Sequence, residues 1–237
     1  MATASFRFHG ELTAFLPRER RELAFAYACA RAATLKNAIE ALGVPHTEAA
    51  LVLVNDERAT LARIVREGDR VEVYPWPARN EPAALEMPAF VADAHLGGLA
   101  RFLRMLGFDT LHGSRIADEE IRRLAWQERR IVLTRDRELL KCREIYRGCY
   151  VHARKTEAQL REVAARYDLA ACARPFTLCL VCNLLLAPIE KATVASRLPP
   201  AVAASWERFM HCAGCDRIYW EGSHYARMRA ALGRMLV

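Results

Sequence analysis

Two Cys-x-x-Cys pairs, Cys179-Leu180-Val181-Cys182 and Cys212-Ala213-Gly214-Cys215, constrain this chain more than any other feature. Each places two thiols on one tight turn, and 29 residues separate the pairs. Four thiolates from two such turns are the ligand set of a tetrahedral zinc ion. Two disulfides or a redox pair would use the same residues, but structural disulfides are rare in a reducing compartment. Four cysteines leave no open position for water or substrate, so the expected zinc is structural. Its binding would supply on the order of 10 kcal/mol of folding free energy. Pro199-Pro200 and Trp206–Phe209 would occupy the excursion between the pairs. Cys29, Cys142, Cys149 and Cys172 read as ordinary thiols, and His211 and His224 are surplus to a four-cysteine set.

The chain of 237 residues is 53% hydrophobic, enough for real cores, which excludes a mostly disordered protein. Its longest apolar run, Leu178 to Ile189, is interrupted by Asn183 and Pro188 and falls short of the roughly 18–20 residues of a membrane helix. The N-terminus, MATASFRFHGELTAFLPRER, lacks a basic start followed by an apolar core. The expectation is a soluble cytoplasmic protein with no membrane partner. The net charge of +7 is unevenly spread. Residues 1–78 carry 10 basic and 10 acidic side chains, residues 79–175 carry 18 and 14, and residues 176–237 carry 7 and 4. A basic excess confined to the later segments favours a polyanionic partner such as nucleic acid. Arginine-rich composition is the plainer explanation, since Lys36, Lys141, Lys155 and Lys191 are the only lysines.

Three segments follow from periodicity. Residues 1–78 read as strand, strand, helix, strand, strand: Ser5–Thr13, Glu22–Ala28, a helix capped by Thr34 and stopped at Gly43, Leu51–Val54, and Val71–Tyr74. That order suggests a β-grasp, ubiquitin-like domain. Residues 79–88 read as a linker, in a stretch where Pro75, Pro77, Pro82 and Pro88 cluster. Residues 89–170 alternate strand and helix, which implies a mostly parallel sheet. Its strands are Ala89–Ala92, Phe108–Leu111, Ile131–Leu133 and Tyr150–His152, and Asp118 and Thr156 read as helix caps. Residues 171–237 hold the cysteine pairs and end in a helix from Tyr225 to Leu236. The fold class is therefore α/β, with a β-grasp domain, a parallel-sheet domain and a zinc ribbon.

Three carboxylates stand out in the middle segment. Asp93 and Asp136 lie at carboxyl ends of expected strands, and Asp118 at a helix start. Ligands bind at that edge of a parallel sheet. Convergent carboxylates repel one another, and Mg²⁺ or Mn²⁺ relieves that repulsion and can act on a phosphodiester. Arg101 and Arg104 lie on the polar face of the helix after Asp93, and Arg135 and Arg137 flank Asp136, as suits an RNA backbone. Each aspartate also serves as an ordinary helix N-cap, which stays open as an alternative.

The run Asp93-x-x-Leu96-x-x-Leu99-Ala100-Arg101-Phe102-Leu103-Arg104-Met105-Leu106-Gly107-Phe108-Asp109-Thr110 resembles the opening of a PIN-like ribonuclease family named after the C-terminal region of the Mut-seven exonuclease. Asp118-Glu119-Glu120-Ile121 and Leu133-Thr134-Arg135-Asp136-Arg137 resemble its next two motifs. The cysteine pairs, with Tyr219-Trp220-x-Gly222-Ser223-His224, resemble its attached zinc ribbon, and residues 1–78 are similar to the ubiquitin-like domain often fused in front. The resemblance implies a metal-dependent endoribonuclease with Mg²⁺ or Mn²⁺ held by Asp93, Asp118 and Asp136, and Thr134 supporting the last. Glu119, Glu120 and Glu138 are candidates for a fourth acidic group. The alternatives are a non-catalytic RNA-binding adaptor and a PIN-like toxin. Sulfur-carrier chemistry is not expected, because the N-terminal segment runs out through Val73-Tyr74-Pro75-Trp76-Pro77 with no diglycine. Docking of a protein partner is the role read for that segment, with a plain stabilising role as the alternative. Tyr219 and Trp220 either stack on RNA bases or pack the ribbon.

Overall fold

A computed structural model describes residues 1–21, 23–76 and 87–235, so most of the expected linker lies outside the described residues. The chain opens with β1 (Ala2–Phe8) and β2 (Phe25–Cys29), then α1 (Leu35–Ala41), β3 (Leu51–Val54), β4 (Glu57–Arg58) and β5 (Arg70–Tyr74). These strands form one mixed sheet in the order β2-β1-β5-β3-β4. β1 runs parallel to β5 and antiparallel to β2, the β-grasp arrangement. Alternation drives it: Ala4, Phe6, Phe8, Val52, Val54, Val71 and Val73 all face the core, against Leu35, Ala38 and Ile39 of α1. Thr34 and Asn37 form a reciprocal capping box at the start of α1. The first strand is shorter than its sequence pattern, because Gly10 turns the chain at φ +55° into a 3-10 segment, Gly10–Phe15.

The chain continues through β6 (Phe90–Ala92), α2 (Gly97–Met105), β7 (Thr110–His112), α3 (Asp118–Gln127), β8 (Ile131–Thr134), α4 (Arg137–Leu140), β9 (Gly148–Tyr150), α5 (Thr156–Tyr167) and α6 (Leu169–Cys172). It ends with β10 (Ala187–Ile189), α7 (Lys191–Val194), α8 (Pro200–Ser205), β11 (Phe209–His211), β12 (Ile218–Tyr219) and α9 (Ser223–Met235). Two compact units result, and each is discontinuous in sequence: Met1–Ala84 with Ile116–His152, and Leu85–Arg115 with Ala153–Val237.

In the first unit, β8 and β9 pair in parallel. The β-grasp segment packs directly on this part. Glu48, 1% exposed, accepts the Tyr150 backbone N–H at 2.8 Å. His46 places Nδ1 2.7 Å from Glu40 and Nε2 2.9 Å from the Ile145 carbonyl. The Phe15 ring meets Tyr150 edge-on at 5.1 Å.

In the second unit, β6 and β7 pair in parallel. Leu99, Ala100, Leu103 and Met105 of α2 are buried at helical spacing. Gly107 (φ +88°) ends this stretch and touches the later chain so closely that a Cβ would lie 2.1 Å from the Arg174 carbonyl oxygen. The ribbon is a three-stranded antiparallel sheet, β10-β11-β12, over a small core of Val194, Leu198 and Phe209. Among the described residues no helix is long and apolar enough to cross a membrane.

Candidate functional site

The four thiols of Cys179, Cys182, Cys212 and Cys215 all lie within 4.8 Å of one another. Cys179 Sγ is 3.6 Å from Cys215 Sγ, and Cys182 Sγ is 3.8 Å from Cys212 Sγ. A tetrahedral zinc with bonds of about 2.3 Å requires sulfurs about 3.8 Å apart, so the donor set fits that ion in identity and spacing. The two turns are built alike. In each, the residue after the second cysteine, Asn183 (φ +67°) or Asp216 (φ +58°), takes the left-handed conformation. Its N–H returns to the carbonyl of the first cysteine, at 2.9 Å for Cys179 and 2.8 Å for Cys212. Asn and Asp adopt that conformation more readily than other residues with a Cβ.

Burial pushes the Cys179 thiol up. The hydrogen bonds it accepts, from the Cys182 N–H and then the Tyr219 hydroxyl, outweigh burial and bring it down to about 6. Its bond with Cys215 pushes Cys182 the other way. Burial, then the bond to Cys179, raises the Tyr219 phenol, which stays protonated and donates at 3.1 Å. Tyr219 is thus part of the thiol cluster.

Arg104 corrects an expectation. It does not lie on a polar face: it is 7% exposed, and its guanidinium donates to the carbonyls of Thr110, Leu180 and Val181. It therefore ties α2 and β7 to the first cysteine turn and brings a cation beside Cys179 and Cys182. Asn183 strengthens the same junction, accepting from the Thr110 N–H at 2.9 Å and donating to Asp109. Arg135 is also engaged, donating to the Val151 and His152 carbonyls at 3.1 and 3.0 Å. Arg101 and Arg137 are exposed.

The carboxylates differ in local role. Asp136 follows β8 and caps α4, accepting from Glu138 N–H at 2.8 Å and Leu139 N–H at 3.4 Å. The buried Thr134 hydroxyl accepts the Asp136 N–H at 3.0 Å and so fixes the turn that presents the carboxylate. Asp93 accepts from the Ala94 N–H after β6, and His112 Nε2 lies 3.1 Å from the Ala94 carbonyl. Asp118 is the first residue inside α3; the cap position belongs to Ala117, and no side chain caps this end. The Thr156 assignment shifts in the same way, with Lys155 at the cap. Within the first unit, Asp118 and Asp136 act on one group. Burial raises the Cys142 thiol, Arg122 lowers it, and Glu144, Asp118 and Asp136 each raise it. Within either unit, among the described residues, no three carboxylates reach the mutual 4.8 Å spacing of the thiols.

Cys142, Asn183 and His112 carried no functional signal in the sequence, and Arg104 carried a different one, contact with RNA rather than with the first cysteine turn. Asn183 had one available, an Asn directly after a cysteine turn.

Similar solved structures include two of small archaeal modifier protein 1 from Haloferax volcanii. One is 19% identical, covering 32% of this chain and 98% of that chain with a TM-score of 0.26. The other is 17% identical, covering 34% and 100% with a TM-score of 0.27. No curated protein matches the sequence. The family described as Mut7-C ubiquitin matches residues 1–81, in front of a longer match to the Mut7-C RNase domain over residues 88–232. That longer match spans more than half of the chain and takes in the three aspartates and all four clustered thiols, so the chain belongs to the Mut7-C RNase domain family.

Proposed function

We propose that this protein is a metal-dependent endoribonuclease, with Asp93, Asp118 and Asp136 as its acidic residues and a structural zinc in the four-thiol cluster. The family match over residues 88–232 carries this reading. The exposure of Asp118 and Asp136 supports it, and their common electrostatic effect on the Cys142 thiol is in keeping with it. Magnesium sites are commonly completed by one or two carboxylates together with substrate phosphates, so close packing of three carboxylates in the free protein is not required. A bound Mg²⁺ or Mn²⁺ would supply Lewis-acid stabilisation of charge developing on the phosphodiester. Thr134 holds the Asp136 turn, and Arg101 and Arg137 are the arginines exposed to meet RNA. The ubiquitin-like segment offers protein contacts, and a cytoplasmic setting fits the reading.

The test is cleavage of total cellular RNA by wild-type, Asp118→Asn and Asp136→Asn proteins, each with Mg²⁺, with Mn²⁺ and without added divalent cation. Cleavage by the wild type alone, dependent on the cation, is expected. Full activity of either variant would remove that aspartate from the mechanism. Intact RNA throughout, with salt-sensitive binding, would return the adaptor reading.

A further inference from the structure

The second unit carries an open groove of about 1180 Å³, of whose lining only Arg101 is given a contact with RNA in the nuclease reading. It runs between the ribbon, α2 and α9. Five aromatic side chains line it: Phe176, Trp206, Tyr219, Trp220 and Tyr225, of which Tyr219 turns its hydroxyl to Cys179. Trp206 and Trp220 are half-buried, packing on the Val194–Leu198–Phe209 core while still bordering the groove. Phe176 holds an unusual backbone conformation, φ +64°, which costs free energy in a residue with a Cβ. Its N–H is tied to the Met105 carbonyl at 2.9 Å, and its ring lies 4.1 Å from that of Tyr225.

The charges are equally particular. Of the two acids at the groove, Asp216 is held by Arg197 at 3.0 Å and His211 at 2.7 Å, and Glu221 lies 3.7 Å from Arg208. Arg101 and Arg217 also line the groove, are exposed, and have no ion pair or side-chain hydrogen bond among the described residues. Beside aliphatic side chains such as Leu178, Leu186, Met210 and Met228, the lining is thus cationic and aromatic together. An acidic peptide would satisfy the arginines and leave the ring faces unused. A duplex keeps its bases stacked inside. An unpaired nucleic-acid strand offers phosphates and flat base faces at once.

We infer that this groove is a track for single-stranded RNA, with bases stacking on Phe176, Trp206, Trp220 and Tyr225 and phosphates meeting Arg101 and Arg217. The inference rests on the nuclease reading only in taking RNA as the substrate.

The chain has four tryptophans, Trp76, Trp126, Trp206 and Trp220, so a Trp76→Phe, Trp126→Phe protein fluoresces from the groove alone. Zinc-loaded protein of this kind is titrated with a short oligouridine, with its duplex with oligoadenine, and with polyglutamate, all without added magnesium or manganese. The expected result is quenching by the single strand, weaker by about tenfold or more for the duplex and absent for polyglutamate. Adding Arg101→Ser and Arg217→Ser, both exposed positions, should weaken the single strand about tenfold. It should also lower the log–log salt slope by about 1.4, two contacts at roughly 0.7 each. Zinc content and thermal melting of each variant verify its fold. RNA binding without quenching, equal binding of the duplex, or an unchanged salt slope in the double arginine variant would overturn the groove. Cleavage is measured separately with Mg²⁺ or Mn²⁺. Quenching without cleavage would count against the nuclease reading alone, and cleavage without quenching against the groove alone.

Discussion

The thiol cluster and the acidic residues are both candidate metal sites, and they are built on opposite principles. The thiols are enclosed: Cys179 and Cys212 are fully buried, their turns are closed by backbone hydrogen bonds, and sulfur spacing already suits the ion. The carboxylates are open. Asp118 and Asp136 are exposed, and one caps a helix while the other caps nothing. A site that holds structure has its geometry fixed by the backbone around it. A site that must exchange water and substrate leaves its ligands accessible and relies on the turns beneath them, as with Thr134 under Asp136.

Breaking the enclosed site should have the largest effect. Removing zinc, or replacing Cys212 with Ser, should cost the ribbon on the order of 10 kcal/mol and leave residues 179–219 sensitive to protease. Resistance equal to wild type would mean that the ribbon does not depend on metal. Next comes Arg104→Met, which should lower stability by about 3–5 kcal/mol in urea unfolding, since three carbonyls lose a charged donor. Arg104→Lys should rescue little, because a single ammonium cannot reproduce the fork. Glu48→Ala strands the Tyr150 N–H and should cost about 1–3 kcal/mol, whereas Glu48→Gln keeps an acceptor and should cost less.

The acidic residues give smaller and more discriminating effects. Asp136→Ala should cost about 1 kcal/mol through the lost cap, while Asp118→Asn should stay within about 0.5 kcal/mol of wild type. If both abolish cleavage, function and stability are separated at Asp118 and overlap at Asp136. The smallest effect concerns pH. The Arg63 hydrogen bonds hold Asp69 below the usual carboxylate range, despite opposition from burial. A depressed carboxylate contributes stability above its unfolded value, near 4, and loses it as pH falls through the folded value. Asp69→Asn should therefore flatten the acid limb of the stability curve below about pH 4 and lower the plateau above it.

What could be read from sequence was local. The cysteine turns, the Thr34 cap and the stop at Gly43 each depend on residues a few positions apart. Arg104 could not be read in this way: one of its partners, Leu180, lies 76 positions further along the chain, and an arginine on a helix looks solvent-facing until that loop returns. Asp118 was read as a cap because Asp is a preferred one, but the helix begins one residue earlier and Ala117 takes the position. The first strand was placed too late, since nothing in its apolar pattern signals the left-handed turn at Gly10. The three aspartates were singled out by topology and motif, whereas the groove gathers residues from positions 101 to 228 and has no linear signature.

The discontinuity of the two units bears on how the protein is made. Residues 85–115 belong with residues 153–237, so on the ribosome the earlier piece is synthesised long before the cysteines that complete its unit. Between Arg115 and Cys215 lie about 100 residues, roughly 5–20 seconds of translation at 5–20 residues per second. During that interval the apolar face of α2 lacks its later chain neighbours, and the four-thiol cluster can be completed only at the end. The β-grasp segment, contiguous and synthesised earliest, is the part able to fold while the rest waits.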